Sequence, residues 1–354
     1  MGRYERPLKL KTNKIPYLIP GGGMIDRFLG EEGRSTASQM WIASVVQCTL
    51  DGSRDSRSYI EEGTEEVCLA DEIAREPWLY LGKAFHDKYG SNLGFLLKLL
   101  NSRDRLLVQT HPDKERAQKY FGSRFGKTES WYVVDTEPGK EAYIWAGFRQ
   151  GVTREGFLDL IRKQDTEAIL GCLHRFVITP GDVIFIKAGL PHALGADSLV
   201  AEIQEPTDIT LRAERFRPDG SELPEISLHS GIGYEGLLDC FAFEPADQET
   251  VRERIFLKKN VKIHPWGEER NLIGYETTEM FAMKSVLCHD ACERENHVFM
   301  VGLVLKGNGW VEYGDHVRIP VKKGTELFIP HGVKHYRYIP EENMEVLECY
   351  PPQI

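Results

Sequence analysis

One stretch, residues 105–131, restricts the fold of this 354-residue chain more than any other. Its apolar run Leu106-Leu107-Val108 reads as a buried strand, with Gln109 and His111 following at a spacing of two. On a strand, side chains two apart leave the same face. Pro112 removes a backbone donor and ends the strand. Residues 113–120 are polar and helix-like, and a glycine turn follows at 122–126. Lys127, Glu129 and Trp131 then share one face of a second strand. Gln109, His111 and Glu129 converge from two strands, with ligand types that zinc accepts, and His192 supplies a fourth.

The rest of the chain is compatible with such a site. At 354 residues the expectation is two domains or one elaborated one. A formal net charge of −10 with no basic block argues against nucleic acid as a partner. An anionic substrate would need a local basic pocket, which is effective because the diffuse field is screened within about 8 Å. No run approaches the roughly 20 apolar residues of a membrane span, and the N-terminus lacks a signal-peptide core. The seven cysteines form no Cys-x-x-Cys pair. Reduced thiols in the cytoplasm are the expectation.

Along the chain, Ile19-Pro-Gly-Gly-Gly-Met24 reads as a turn, because no strand or Lys-Ser/Thr supports a phosphate loop. Residues 41–48 read as an early strand, 51–65 as a polar loop, and 70–89 as mixed with helical spacing. Residues 95–100 fit helix and strand equally. The strand from Glu129 continues to Asp135, turns at Glu137-Pro138-Gly139, and is expected to form a hairpin with 141–147. The segment 153–172 has the best helical pattern. Strands follow at 175–180, 183–186, 199–204 and 208–212, and 216–236 reads as a connector.

An echo links two windows. From Gly181, Lys187, Gly189 and His192 fall at offsets six, eight and eleven. From Gly324, Pro330, Gly332 and His335 fall at the same offsets. Each window encloses an apolar strand, as two tandem β units would.

The second window resembles the second motif of the cupin superfamily of small β-barrels. The whole chain resembles the type I phosphomannose isomerase family in its short bacterial form. The matching stretches are Leu107-Val-Gln-Thr-His-Pro-Asp-Lys114, Gly126-Lys-Thr-Glu-Ser-Trp-Tyr132, Gly181-Asp-Val with Gly189-Leu-Pro-His-Ala193, and Glu202-Ile-Gln204 with Asp208-Ile-Thr-Leu-Arg212. They span about residues 30–215. The resemblance implies a mainly β fold of tandem cupin (jelly-roll β-barrel) domains with a small helical segment. The catalytic domain would occupy 1–240 and a degenerate cupin 241–354. It implies one Zn²⁺ per chain on Gln109, His111, Glu129 and His192, and active-site roles for Lys127 and Arg212. The expected reaction is the interconversion of mannose 6-phosphate and fructose 6-phosphate, by proton transfer through an enediol, in a monomer or homodimer. The segment Glu205-Pro-Thr-Asp-Ile-Thr-Leu-Arg212 departs from the family pattern. Pro206 and Leu211 are expected beside the substrate pocket.

Such a reaction needs a base of tuned pKa and cationic groups to hold the enediolate oxygens. Lys127 and Arg212 suit the anionic groups; the residues do not single out the base. The second unit offers His335 with His297 and His331, too few ligands for a second metal. Two alternatives remain at this level. Two His and one Glu also match the facial triad of non-haem iron oxygenases, although a Gln109 ligand fills a position dioxygen needs. The altered segment also suits a non-catalytic or regulatory sugar-phosphate-binding cupin.

Overall fold

Residues 96–100, Leu-Leu-Lys-Leu-Leu, are buried on both sides. A strand of that kind belongs in the middle of a sheet covered on both faces. It lies there, antiparallel to Gln39–Ile42 on one side and Ser198–Gln204 on the other. The computed structural model describes residues 2–32, 35–48 and 55–354, and the chain is mainly β with short helices between strands.

Two facing sheets form the first unit. One has six strands in the order Val183–Ile186, Glu129–Thr136, Ser198–Gln204, Leu96–Leu100, Gln39–Ile42 and Lys14–Ile15. The other has five, in the order Leu173–Val177, Tyr143–Phe148, His192–Leu194, Gln109–Thr110 and Leu211–Arg212. Trp131, Val133 and Ile184 of the first meet Ile144, Ala146 and Leu194 of the second in one core. The outer face of the five-stranded sheet is covered by helices Arg154–Lys163, Thr166–Gly171 and Gly233–Asp239.

A second pair of sheets repeats this plan. Its nine-stranded sheet begins Asn260–His264, Gly267–Ile273, Ala282–Cys288, Met344–Tyr350, Met300–Lys306 and Glu326–Ile329. Read in reverse, that order is the six-stranded order, strand for strand. The sheet then continues with Leu8–Leu10 and the hairpin Tyr59–Glu62 and Glu65–Cys68. Four strands from Cys292–Glu295 to Val317–Lys322 face it across a core that includes Val286, Val304, Val311 and Tyr338. The two large sheets pack back to back through Leu97, Leu99 and Ile203 against Leu303, Phe328 and Leu347.

Several sequence expectations are corrected. Strands Glu129–Thr136 and Tyr143–Phe148 form no hairpin, since they lie in different sheets and each pairs with later strands. A Glu-Pro-Gly turn reverses the chain but does not choose its partner. The early strand stops at Ile42, because Ala43 takes a left-handed φ of 51°. Within the expected loop 51–65, residues 51–54 lie outside the described residues, and 59–62 and 65–68 pair as strands. The long helix is two, broken at Gln164 with φ 53° and restarted by the Asp165 cap, which accepts from the Ala168 N–H. The connector contains helices Ile226–His229 and Gly233–Asp239. The strand comprises Gln109–Thr110 rather than Leu106-Leu107-Val108, although the Leu106 N–H donates to the Leu194 carbonyl and the Val108 carbonyl accepts from the Ala213 N–H, each at 2.8 Å.

The echo has a structural basis. Gly181 and Gly324 both sit at positive φ, 93° and 87°, a turn that a side chain would strain. After them the units diverge, and His335 lies exposed on its strand rather than in the core.

Candidate functional site

The site lies between the two sheets of the first unit. Gln109 and His192 pair across adjacent strands of the five-stranded sheet. Glu129 opens a strand of the facing sheet, opposite Gln204 and Ile186. His111 follows Gln109 outside the ladder, where Pro112 has ended the strand. Helix Lys114–Phe121, capped by Asp113 accepting from the Arg116 N–H at 2.8 Å, returns the chain to Lys127. Glu205 holds that return in place, accepting from the N–H groups of Gly126 and Thr128, each at 3.2 Å.

His111, Glu129 and His192 are fully buried, and their ligand atoms lie within 4.8 Å of one another. His111 Nε2 is 3.4 Å from Glu129 Oε2, and His192 Nε2 is 3.3 Å from Glu129 Oε1. The other ring nitrogens are committed. His111 Nδ1 donates to the Ile209 carbonyl at 2.9 Å and His192 Nδ1 to the Leu190 carbonyl at 2.8 Å. A carbonyl only accepts, so each ring presents a bare Nε2 to the cluster. The Gln109 amide end lies 3.2 Å from His192 Nε2. Both Glu129 oxygens are buried without a hydrogen-bond partner. A buried carboxylate left so is costly unless a cation balances it. Burial, with Glu202 nearby, pushes Glu129 up to about 8. Burial pulls His192 down to about 4 and His111 well below the usual imidazole value. Two neutral imidazoles, a buried carboxylate without hydrogen-bond donors and an amide suit a divalent metal, zinc included.

Lys127 Nζ stands 3.2 Å from His111 Nε2 and 3.5 Å from Glu129 Oε2. Arg212 is buried beside the cluster, its guanidinium fixed by the carbonyls of Thr210 at 3.4 Å and Ser227 at 3.3 Å. All six candidates from the sequence therefore gather in one region, and Gln109, Lys127 and Arg212 line the same small cavity.

Three further residues escaped sequence reasoning. Lys98 lies buried in the central strand, 3.6 Å from Glu202 and 3.9 Å from Asp208, with its ammonium over the Trp41 ring. Burial draws Lys98 below its ordinary value against the pull of Glu202. Glu202 also accepts from the Trp131 indole N–H at 3.0 Å. Burial alone would raise Glu202, but Lys98 and Lys127 outweigh it and hold this carboxyl below its usual range. The signal for Lys98 was a lone lysine inside an apolar run. Tyr17 closes the cavity from the N-terminal segment and donates to Asp208 at 3.1 Å. The cavity between these groups is about 30 Å³.

Of the segment that departs from the family pattern, Thr210 and Arg212 line the cavity on either side of Leu211. Leu211 is buried in the core under the helices and Pro206 is buried, and the cavity lining includes neither.

With this geometry in view, comparison with known proteins is direct. The family model "Phosphomannose isomerase type I, catalytic domain" matches residues 52–141. The chain is 33% identical over 267 residues to the probable mannose-6-phosphate isomerase GmuF of Bacillus subtilis, covering 74% of this chain and 77% of that one. Mannose-6-phosphate isomerase ManA of the same organism is 24% identical over 276 residues, with the same shares covered. The crystal structure of the Bacillus subtilis mannose 6-phosphate isomerase superposes with a TM-score of 0.75 at 21% identity, covering 96% of this chain and 99% of that one. A mutant phosphomannose isomerase from Salmonella typhimurium gives 0.76 at 16% identity, over 98% and 100% of the two chains. The structural likenesses speak for the fold, and the GmuF match carries the relationship: the chain belongs to the type I phosphomannose isomerase family.

Proposed function

We propose that this protein interconverts mannose 6-phosphate and fructose 6-phosphate, with one zinc ion held by Gln109, His111, Glu129 and His192. The observation that carries the reading is the buried His-Glu-His cluster, its carboxylate lacking donors, at the edge of a cavity lined by three cations. Zinc there would supply Lewis-acid polarisation of the substrate's carbonyl and hydroxyl oxygens.

The chain's own residues do the rest. Lys98, Lys127 and Arg212 face Glu129, Glu202 and Asp208, three cations against three carboxylates. The protein charges thus cancel, and a divalent cation leaves the site positive for an anionic sugar. Arg212 and Lys127 hold the phosphate or the enediolate oxygens. Lys98 and Glu202, paired and dry, move the proton between the adjacent carbons that exchange oxidation level.

The same reading divides the chain near residue 240 into a catalytic unit, 1–240, and a second barrel-like unit, 241–354, with strands Leu8–Leu10, Tyr59–Glu62 and Glu65–Cys68 lent by the first segment to the sheet of the second. It places the protein in the cytoplasm, in keeping with seven cysteines that form no disulfide among the described residues, as a monomer or homodimer. The test is a coupled isomerase assay on mannose 6-phosphate, run as purified, with chelator, and after zinc is restored. Activity that vanishes and returns with zinc is expected. A zinc-loaded protein that turns over no mannose 6-phosphate would overturn the assignment.

A further inference from the structure

A cavity of about 690 Å³ lies in the second unit, against about 30 Å³ beside the His-Glu-His cluster. Its place follows from the repeat. In the first unit Glu202 pairs with Lys98 on one side and Trp131 on the other. In the second, Glu348 pairs with Lys284 on one side and Gly302 on the other. The strand orders are the same, so Lys284 and Glu348 stand where Lys98 and Glu202 stand, on the face turned toward the opposite sheet.

The chemistry at this place differs. The strand pair Glu295 and His335 matches Gln109 and His192 by spacing, yet both of its side chains are exposed. The inward positions, one residue away, are Arg294 and Tyr336. A slip of one residue exchanges the two faces of a strand. Arg294 donates to Glu348 at 3.0 Å, and the hydroxyls of Tyr338 and Tyr350 donate to it at 2.9 and 2.7 Å. Arg294 also reaches Glu269 at 3.0 Å, and Lys284 reaches the same carboxylate at 3.0 Å. With no indole at Gly302, this network forms the floor of an open cavity, where Lys284 remains 33% exposed and Glu269 14%.

We propose that this cavity is a binding site for a neutral carbohydrate, separate from the catalytic centre. Its volume is that of a small-molecule site. Its floor offers donors and acceptors already fixed by one another, so little ordering is lost when hydroxyls meet them. Lys284, Arg294, Glu269 and Glu348 compensate one another in charge, so hydroxyls gain more than an anion would. Tyr275 and Tyr350 on the walls give rings for the C–H face of a pyranose.

The test is calorimetric titration and saturation-transfer NMR of the full chain with D-mannose and D-glucose, with inorganic phosphate as the anionic control. Hexose binding is expected, weakened at least tenfold by Asn271→Trp at the cavity wall and, separately, by Lys284→Met. Arg212→Ala, which alters only the first unit, should leave it unchanged. Absence of hexose binding overturns the proposal, as does binding of phosphate without hexose. Hexose binding lost in Arg212→Ala but kept in both second-unit variants would place it in the first unit and overturn the proposal too. None of these readouts depends on isomerase activity.

Discussion

At the residue scale, the site rests on which side chains face a buried carboxylate. His192→Ala or His111→Ala should lower metal affinity more than about 100-fold and abolish activity with it, since each ring gives a bare Nε2 toward Glu129. His335→Ala, on an exposed strand position, should keep both. Elemental analysis beside the coupled assay decides, and full metal content in His192→Ala would remove that residue from the site. Lys98→Met should reduce kcat by about 10²–10⁴ while metal content stays full, as expected for a proton carrier that is no ligand. An unchanged kcat would assign Lys98 to packing alone.

Another residue, Glu326, is buried with both oxygens lacking a partner. The backbone N–H groups of Asn13 and Ala43 lie near without completing hydrogen bonds, and burial raises its carboxyl well above the ordinary value. A raised folded value means the native state holds the proton that the unfolded chain releases. Glu326 therefore lowers stability as pH climbs above the ordinary glutamate range, and the loss is absent below it. Glu326→Gln should raise stability at pH 7–8 by roughly 1–3 kcal/mol, with the gain vanishing near pH 4. Melting curves across pH would show this, and a gain that did not vary with pH would contradict it.

At the element scale, a helix break and a strand exchange carry specific risks. Gln164 ends its helix in the left-handed region while its amide donates to the carbonyls of Ile161 at 2.6 Å and Ala213 at 3.1 Å and accepts from the Arg215 N–H at 2.7 Å. Gln164→Ala loses all three and keeps the strained backbone, so a cost of about 1–3 kcal/mol by urea denaturation is expected. The periodic pattern of 153–172 showed helix correctly and hid the break, because two of the side-chain bonds that hold it, to Ala213 and Arg215, reach a segment distant in the chain. The failed hairpin has a similar cause. Turn chemistry is local, but the partners of Glu129–Thr136 are strands from 183–186 and 198–204.

At the scale of the whole molecule, the first strand, Leu8–Leu10, is built into the sheet of the second unit, paired with Glu326–Phe328. The two units share a core through Leu8, Leu99 and Phe328. Leu8→Ala, at a fully buried position, should cost about 2–5 kcal/mol. Calorimetry should show one lowered transition rather than two, and a separate, unshifted melting of the second unit would show that the strand contributes little to it.

The sequence by itself pointed to the family and singled out His111, Glu129 and His192, which the fold brings together, because strand parity, a proline stop and ordered motifs act within a few residues. It also determined the turn at Gly181 and its repeat at Gly324, where backbone conformation demands glycine. Only the tertiary structure decided that Lys98, Glu202 and Tyr17 belong to the cavity, since a lone lysine in an apolar run marks Lys98 as unusual but the partners that define the cavity lie far along the chain. It likewise decided that Leu211 faces the helices and that His335 faces out. A one-residue difference in register inverts the face of a strand, and spacing along the chain cannot report which face the opposite sheet covers.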